Sequence, residues 1–191
     1  MTKISKASMY ICALLITMAT FQVISHILLL CFGELTTTGV SQLSIDFHLF
    51  SSHISHQSTH GWTNISQALI AENFNALAIL GTAELIPYLF IYYFLFRLFS
   101  YYQHGEIFTI SNITCFKNIG KTLLFWIVLS ALYPVLVSLF IRFMGFSDKL
   151  SIYLNFGSNE VFYLVSGLVI YVMAWVMTMA IELKQEQELV V

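Results

Sequence analysis

The sequence predicts an all-α integral membrane protein built as a four-transmembrane-helix bundle, and three observations support this prediction. Of the 191 residues, 58% are hydrophobic and only 9% are charged, whereas soluble domains carry about 25% charged residues. Four apolar segments are each long enough to cross a bilayer, which takes roughly 20 residues. The cations between these segments are unevenly distributed, as in the loops of membrane proteins.

The predicted spans are residues 8–32, 74–96, 122–141 and 161–181. The first span is longer than the apolar region of a secretory signal peptide, so we expect a retained membrane anchor. Pro87 and Pro134 interrupt the second and third spans, and we expect a helix kink near Pro87. Nothing in the composition marks a domain boundary, so the sequence predicts a single membrane domain over residues 1–191.

The distribution of cations predicts the topology. Four spans place both termini on one side, and cytoplasmic loops of membrane proteins carry the excess of Lys and Arg. We therefore expect cytoplasmic termini, a cytoplasmic connector (97–121) and a cytoplasmic tail (182–191), with the loops 33–73 and 142–160 outside. The predicted outer side carries two cations, Arg142 and Lys149, and the inner side carries six: Lys3, Lys6, Arg97, Lys117, Lys121 and Lys184.

The long outer loop, residues 33–73, contains two patterns of local structure. Apolar residues alternate with polar ones at Leu43, Ile45, Phe47 and Leu49, which indicates a short strand or an interfacial segment. Later in the loop, the helical spacing of apolar residues in 62–74 predicts a short helix that leads into the second span.

The connector is predicted to contain a short amphipathic cytoplasmic helix before the third span. Gly105 is expected to end the preceding helix, and Ser111 or Asn112 is expected to cap the new one. The face of this helix would contact either lipid headgroups or a cytoplasmic partner. The candidate contact residues are Phe108, Asn112, Phe116, Lys117 and Lys121.

The connector carries a motif that comprises Gly105-Glu106-Ile107-Phe108-Thr109, then Asn112, then Phe116-Lys117-Asn118-Ile119-Gly120, and the last residues are Glu186-Gln187-Glu188-Leu189-Val190-Val191. These features resemble those of a small bacterial membrane-protein family, catalogued as domain of unknown function 2975. The resemblance is best over Tyr93–Val191. It implies a location in the bacterial cytoplasmic membrane and four spans. The members of this family look like neighbours of small helix-turn-helix regulators, so the resemblance implies a sensory or regulatory role. The family has no assigned catalytic residues, so none are carried over to this sequence.

Glu84 lies near the middle of the second predicted span. An ionisable group at the centre of a membrane helix costs roughly 2.5–3.5 kcal/mol on insertion scales, so we expect it to face the bundle interior, to be paired or to be protonated. Gln22 and His26 are four residues apart in the first span, and counting from the outer ends places them at a similar depth. The sequence predicts an intramembrane polar cluster of Glu84, Gln22 and His26. It would either move a proton or bind a cation, or hold helices together with Glu84 neutral.

Four histidines of the outer loop form a second candidate site: His48, His53, His56 and His60. Imidazole nitrogens bind zinc, copper and nickel, and histidine also serves as a pH sensor. His56 and His60 have the spacing of one helix face. The spacing of the four matches no established metal motif, so a polar loop that uses histidine without binding metal is the simpler alternative.

These features favour a membrane-embedded regulatory or sensory protein that acts through a cytoplasmic partner. The alternatives are a small transporter, channel or accessory subunit that uses Glu84, and a protein that binds metal in its outer loop. Neither a catalytic motif nor a cofactor motif occurs, so we expect no enzyme activity and no cofactor. The acidic balance disfavours direct binding to nucleic acid. The lipid bilayer is the expected environment, and a homo-oligomer is compatible with four spans.

Overall fold

The computed structural model describes residues 3–35, 40–47, 50–57, 62–106, 109–145 and 158–189. Within this part of the chain, four helices are long and apolar enough to cross a membrane, which confirms the predicted fold class. Each overlaps its predicted segment. The four spans are Ile4–Phe32, Leu77–Gln103, Ile110–Phe143 and Glu160–Gln187.

The described secondary structure follows a simple order along the chain. Helix α1 is followed by three strands and a short helix, α2, and then by three long helices. A single π-helical turn, Leu77–Gly81, runs directly into α3 and is called the π turn below. The elements are α1 Lys3–Phe32, β1 Glu34–Leu35, β2 Val40–Phe47, β3 Phe50–Gln57, α2 Thr63–Ala71, α3 Thr82–Gln103, α4 Ile110–Phe143 and α5 Ser158–Leu189.

Helix α1 buries one narrow stripe whose members alternate at spacings of three and four residues. Most of the stripe is small or polar, while large apolar side chains such as Ile16 and Phe21 are exposed on the other faces. Membrane helices pack through small and polar residues because lipid solvates their apolar faces. The stripe consists of Ser5, Ser8, Cys12, Leu15, His26 and Leu29, which are buried, with Ala19 and Gln22 half-buried between them.

The segment between α1 and α3 carries a three-stranded antiparallel sheet in the order β1-β2-β3. Strands β2 and β3 pair from Val40 opposite Gln57 to Phe47 opposite Phe50. Of the two alternatives that the sequence left open, the strand is confirmed for Leu43, Ile45 and Phe47, which lie in β2, while Leu49 lies outside the described residues. Alternating apolar residues are the pattern that a strand requires. The predicted helix in residues 62–74 also exists as α2, and Ile65 and Leu69 are fully buried.

The chain forms two compact units. The first unit holds Met1–Ala19, Pro87–Ile127 and Asn159–Val191, and the second holds Thr20–Ile86 and Val128–Ser158. In the first unit, the thiol of Cys12 in α1 lies 3.8 Å from the carbonyl oxygen of Phe96 in α3. The hydroxyls of Tyr88 in α3 and Tyr163 in α5 are 3.4 Å apart.

Helices α4 and α5 approach each other closely at two glycines of the first unit. A Cβ atom at Gly120 would lie 3.1 Å from the carbonyl oxygen of Gly167 and 3.2 Å from the Cβ of Tyr171. A Cβ at Gly167 would lie 3.2 Å from the Cβ of Leu123. Small residues allow membrane helices this approach, and van der Waals packing then replaces the missing hydrophobic driving force.

The predicted break at Gly105 is confirmed. Gly105 has φ +82°, a conformation that favours glycine. Its N–H donates to the carbonyl of Tyr102 at 3.2 Å, and the N–H of Glu106 donates to that of Tyr101 at 3.1 Å. This pair of bonds is a Schellman motif, which satisfies the last carbonyls of α3.

The predicted cap of the next helix is wrong by a few residues. The hydroxyl of Thr109, rather than Ser111 or Asn112, accepts the N–H of Asn112 at 3.4 Å. Thr109 precedes the first helical residue, Ile110, which is the position that an N-cap occupies. Helix α4 then continues without interruption to Phe143. The predicted short amphipathic helix is therefore the first part of α4 and not a separate element.

Candidate functional site

Glu84 is buried in the first turn of α3, with 5% of its surface exposed. The span that contains it runs from Leu77 to Gln103, so Glu84 lies closer to the beginning of the span than to the middle position that the sequence predicted. At 1.5 Å per residue it is about 10 Å along the helix from Leu77. Carboxyl groups at such positions mark ion pathways and proton relays in many membrane proteins.

The imidazole of His26 brings α1 next to this part of α3. Its Nε2 lies 3.2 Å from the hydroxyl oxygen of Thr82, two positions before Glu84. His26 is itself buried, with 8% of its surface exposed. Gln22 is half-buried one turn earlier on the same stripe of α1. The first two spans are thus neighbours at this level, which is the condition that the predicted polar cluster needs.

The π turn comes immediately before these residues. The N–H of Thr82 donates to the carbonyl of Leu77, five residues earlier, instead of four as in an α-helix. From α4, the hydroxyl of Tyr133 donates to the carbonyl of Ile79 at 2.8 Å. Single π turns are rare and occur frequently at functional sites, and the sequence patterns did not predict this one.

Helix α2 is connected to α4 by Trp62, which is 1% exposed. The indole N–H donates to the carbonyl of Ser130 at 2.8 Å. Pro134 has no N–H to offer to the carbonyl four residues before it, which is that of Ser130, so the indole supplies the missing donor. The Trp62 ring also stacks on that of Tyr133, with centroids 5.5 Å apart.

The loop histidines are only partly covered by the structure. His48 and His60 lie outside the described residues, while His53 and His56 belong to strand β3. Because His56 is in a strand, it does not share a helix face with His60. Among the described residues, no group of three or more His, Cys, Asp or Glu is placed to hold a metal ion. Metal binding by the full set of four stays a prediction.

The connector residues have different surroundings. Asn112 is fully buried, and its side-chain amide donates to the carbonyl of Glu106, which closes the turn between α3 and α4. It therefore stabilises the turn instead of presenting a surface. Phe116 and Lys117 are half-buried and Lys121 is exposed, whereas Phe108 lies outside the described residues.

Comparison with family models decides the affiliation of the chain. The model described as "Protein of unknown function (DUF2975)" matches residues 47–191, which is more than half of the sequence. The chain belongs to the DUF2975 family. The match includes α2, the π turn and Glu84, whereas α1 with His26 and Gln22 precedes it. Searches of the curated proteins and of the solved structures find no match to this DUF2975 protein.

Proposed function

We propose that this DUF2975 protein is a regulatory or sensory protein of the bacterial cytoplasmic membrane that acts through a cytoplasmic partner and without catalysis. The observation that carries the proposal is the length of α5. Its 32 residues make a helix of about 48 Å at 1.5 Å per residue, whereas the hydrocarbon core is about 30 Å thick. The charge-free part of α5 ends at Ile181, and residues 182–189 continue the helix beyond this charge-free part.

The extension of α5 has the properties of a contact surface. Glu182, Leu183 and Glu186 are exposed, and Leu183 exposes 60% of its surface. Residues 182–189 contain three Glu and one Lys, a net charge of −2. The cytoplasmic leaflet is negatively charged and repels this segment. An acidic helix with an exposed leucine therefore stays available to a partner that offers basic and apolar groups.

The orientation is part of the proposal. The excess of six cations over two favours cytoplasmic termini and a cytoplasmic turn between α3 and α4. Under this orientation, the extension of α5 and the exposed Lys121 of α4 face the cytoplasm. The sheet and α2 then face the outside, where a signal would arrive.

Site-specific photo-crosslinking in the native membrane tests the partner. A crosslinking residue is introduced at Leu183 and, as a matched control, at Leu168 in the apolar part of α5, where 48% of the leucine is exposed. We expect Leu183 to crosslink a soluble DNA-binding regulator, and deletion of residues 182–191 to change transcription of that regulator's targets. Equal crosslinking at both positions, or unchanged transcription with normal amounts of the truncated protein, would contradict the proposal.

A second candidate function is a transporter, channel or accessory subunit, and the surroundings of Glu84 favour it. The second unit contains the buried carboxyl of Glu84, the buried imidazole of His26 and the π turn. The imidazole contacts Thr82, which lies between the π turn and Glu84. Four spans enclose little space, so this function requires an oligomer. Proton or cation flux into proteoliposomes should disappear in Glu84→Gln and persist in Glu106→Gln, which changes an exposed glutamate. Equal flux in both variants would exclude this function.

A further inference from the structure

A continuous series of contacts in the second unit connects α2 to the helix of Glu84. Trp62, which directly precedes α2, contacts α4 twice, through the carbonyl of Ser130 and through the ring of Tyr133. The hydroxyl of Tyr133 in turn contacts the π turn at Ile79. The π turn ends directly before Thr82, the residue that His26 contacts.

The attachment of α2 contains one feature that opposes it. Ser66, one turn after Trp62, is fully buried, and its hydroxyl has no hydrogen-bond partner among the described residues. Burying a hydroxyl without a partner destabilises the attached state relative to a state in which water reaches it. The indole hydrogen bond of Trp62 and its stacking on Tyr133 therefore keep α2 attached. The buried hydroxyl of Ser66 opposes this attachment.

A π turn differs from an α-helical turn in its hydrogen-bond pattern. When each carbonyl of the turn accepts a hydrogen bond from the amide four residues later, instead of five, the turn becomes α-helical. The turn then contains one residue fewer. Each residue of an α-helix corresponds to 100° of rotation and 1.5 Å of rise. Conversion would therefore turn Thr82 and Glu84 by about 100° relative to the residues before the turn.

We propose that α2 locks the π turn in place, with Trp62 and Tyr133 as the positioning residues. While α2 is attached, Tyr133 is fixed by the Trp62 ring and its hydroxyl favours the π pattern at Ile79. When α2 detaches, this support is lost, the turn converts, and Glu84 changes its orientation. The lock goes beyond both proposed functions and does not depend on either, because it concerns the equilibrium between two conformations of the second unit.

Amide hydrogen exchange of the full-length protein in lipid nanodiscs, measured by mass spectrometry, tests the lock through residues 63–71 and 77–84. Trp62→Phe keeps the ring but removes the indole donor, and we expect exchange about tenfold faster in both segments. Ser66→Ala removes the unpaired hydroxyl, and we expect slower exchange in both. Tyr133→Phe should accelerate exchange at 77–84 far more than at 63–71.

Leu136→Ala is the matched control, since Leu136 lies on the exposed face of α4 and should change neither segment. Faster exchange of 63–71 in Trp62→Phe with unchanged exchange of 77–84 would overturn the lock, because α2 would then detach without affecting the π turn. If Trp62→Phe elutes as an aggregate, Ser66→Ala carries the test. Slower exchange in both segments supports the lock, and any other result for Ser66→Ala overturns it.

Discussion

At the scale of single residues, the structure places side chains where the backbone lacks a partner. The sequence predicted that Pro134 would disturb its helix, and elementary geometry identifies the carbonyl of Ser130 as the group that loses its donor. The sequence did not predict that Trp62 supplies the replacement donor, because Trp62 and Ser130 are 68 positions apart. Local patterns contain no information about which distant donor reaches such a carbonyl.

The same limit applies to the candidate site. The burial of Glu84 followed from its position in an apolar segment, since a charged group inside a membrane helix has to face the interior. The contact between His26 and Thr82 did not follow, because two helices can meet in many registers. The π turn did not follow from the sequence either, since the residues Leu77–Gly81 have no pattern that distinguishes a π turn from an α-helix.

Asn112→Ala is predicted to destabilise the protein. The variant loses the buried bond to the Glu106 carbonyl and leaves that carbonyl without this donor, at a cost of about 1–3 kcal/mol. The midpoint of thermal unfolding in detergent, followed by tryptophan fluorescence, should fall. Thr114→Ala is the control, because Thr114 is exposed and its hydroxyl donates to the carbonyl of Ile110 in its own helix. An unchanged midpoint in Asn112→Ala would contradict the role assigned to this turn.

At the scale of elements, the sequence predicted which segments form helices better than it predicted where a helix begins or what it contacts. Glycine is the residue that most often adopts the left-handed conformation at a helix end, and Gly105 was identified from the sequence for this reason. The N-cap was misplaced because Thr109, Ser111 and Asn112 are all good capping residues within four positions. The close approach of Gly120 and Gly167 was missed because each glycine is isolated, without the repeated small residues that indicate a packing face.

Gly120→Leu is predicted to weaken the packing of α4 on α5. A Cβ at Gly120 already meets backbone and Tyr171 atoms at 3.1–3.2 Å, so a leucine has to displace α5, at a cost of about 1–3 kcal/mol or more. Loss of monodisperse protein in gel filtration and a lower unfolding midpoint should follow. Leu132→Ala on the exposed face of α4 should leave both unchanged. A stable, monodisperse Gly120→Leu protein would show that the two helices do not approach as described.

Gly105→Ala tests the end of α3 separately from packing. Among the described residues other than its two chain neighbours, no atom lies within 4 Å of a Cβ at this position. The positive φ is therefore what opposes the change, and the expected loss of stability is about 1–2 kcal/mol. Gly105→Asn should lose less, because asparagine tolerates this conformation. The unfolding midpoint should therefore decrease from glycine to asparagine to alanine. The reverse order of the two variants would contradict the assigned helix end.

At the scale of the whole molecule, composition was the strongest predictor. Few charges and four long apolar segments predicted a multi-pass membrane protein, and the four helices confirm it. The orientation rests on the cation distribution alone and stays a prediction. Residues such as Phe21 in α1 and Trp175 in α5 expose more than half of their surface, which is acceptable only where lipid or a further protein covers them.

The most direct measurement of the central claim is cysteine labelling with a membrane-impermeant maleimide in intact cells. The native Cys115 is a poor probe because only 3% of it is exposed, so single cysteines are introduced into a cysteine-free chain at Glu106 and Ala71, both exposed. We predict that Ala71→Cys reacts in intact cells and that Glu106→Cys reacts only after permeabilisation. Labelling of Glu106→Cys from outside intact cells would contradict the proposed membrane topology.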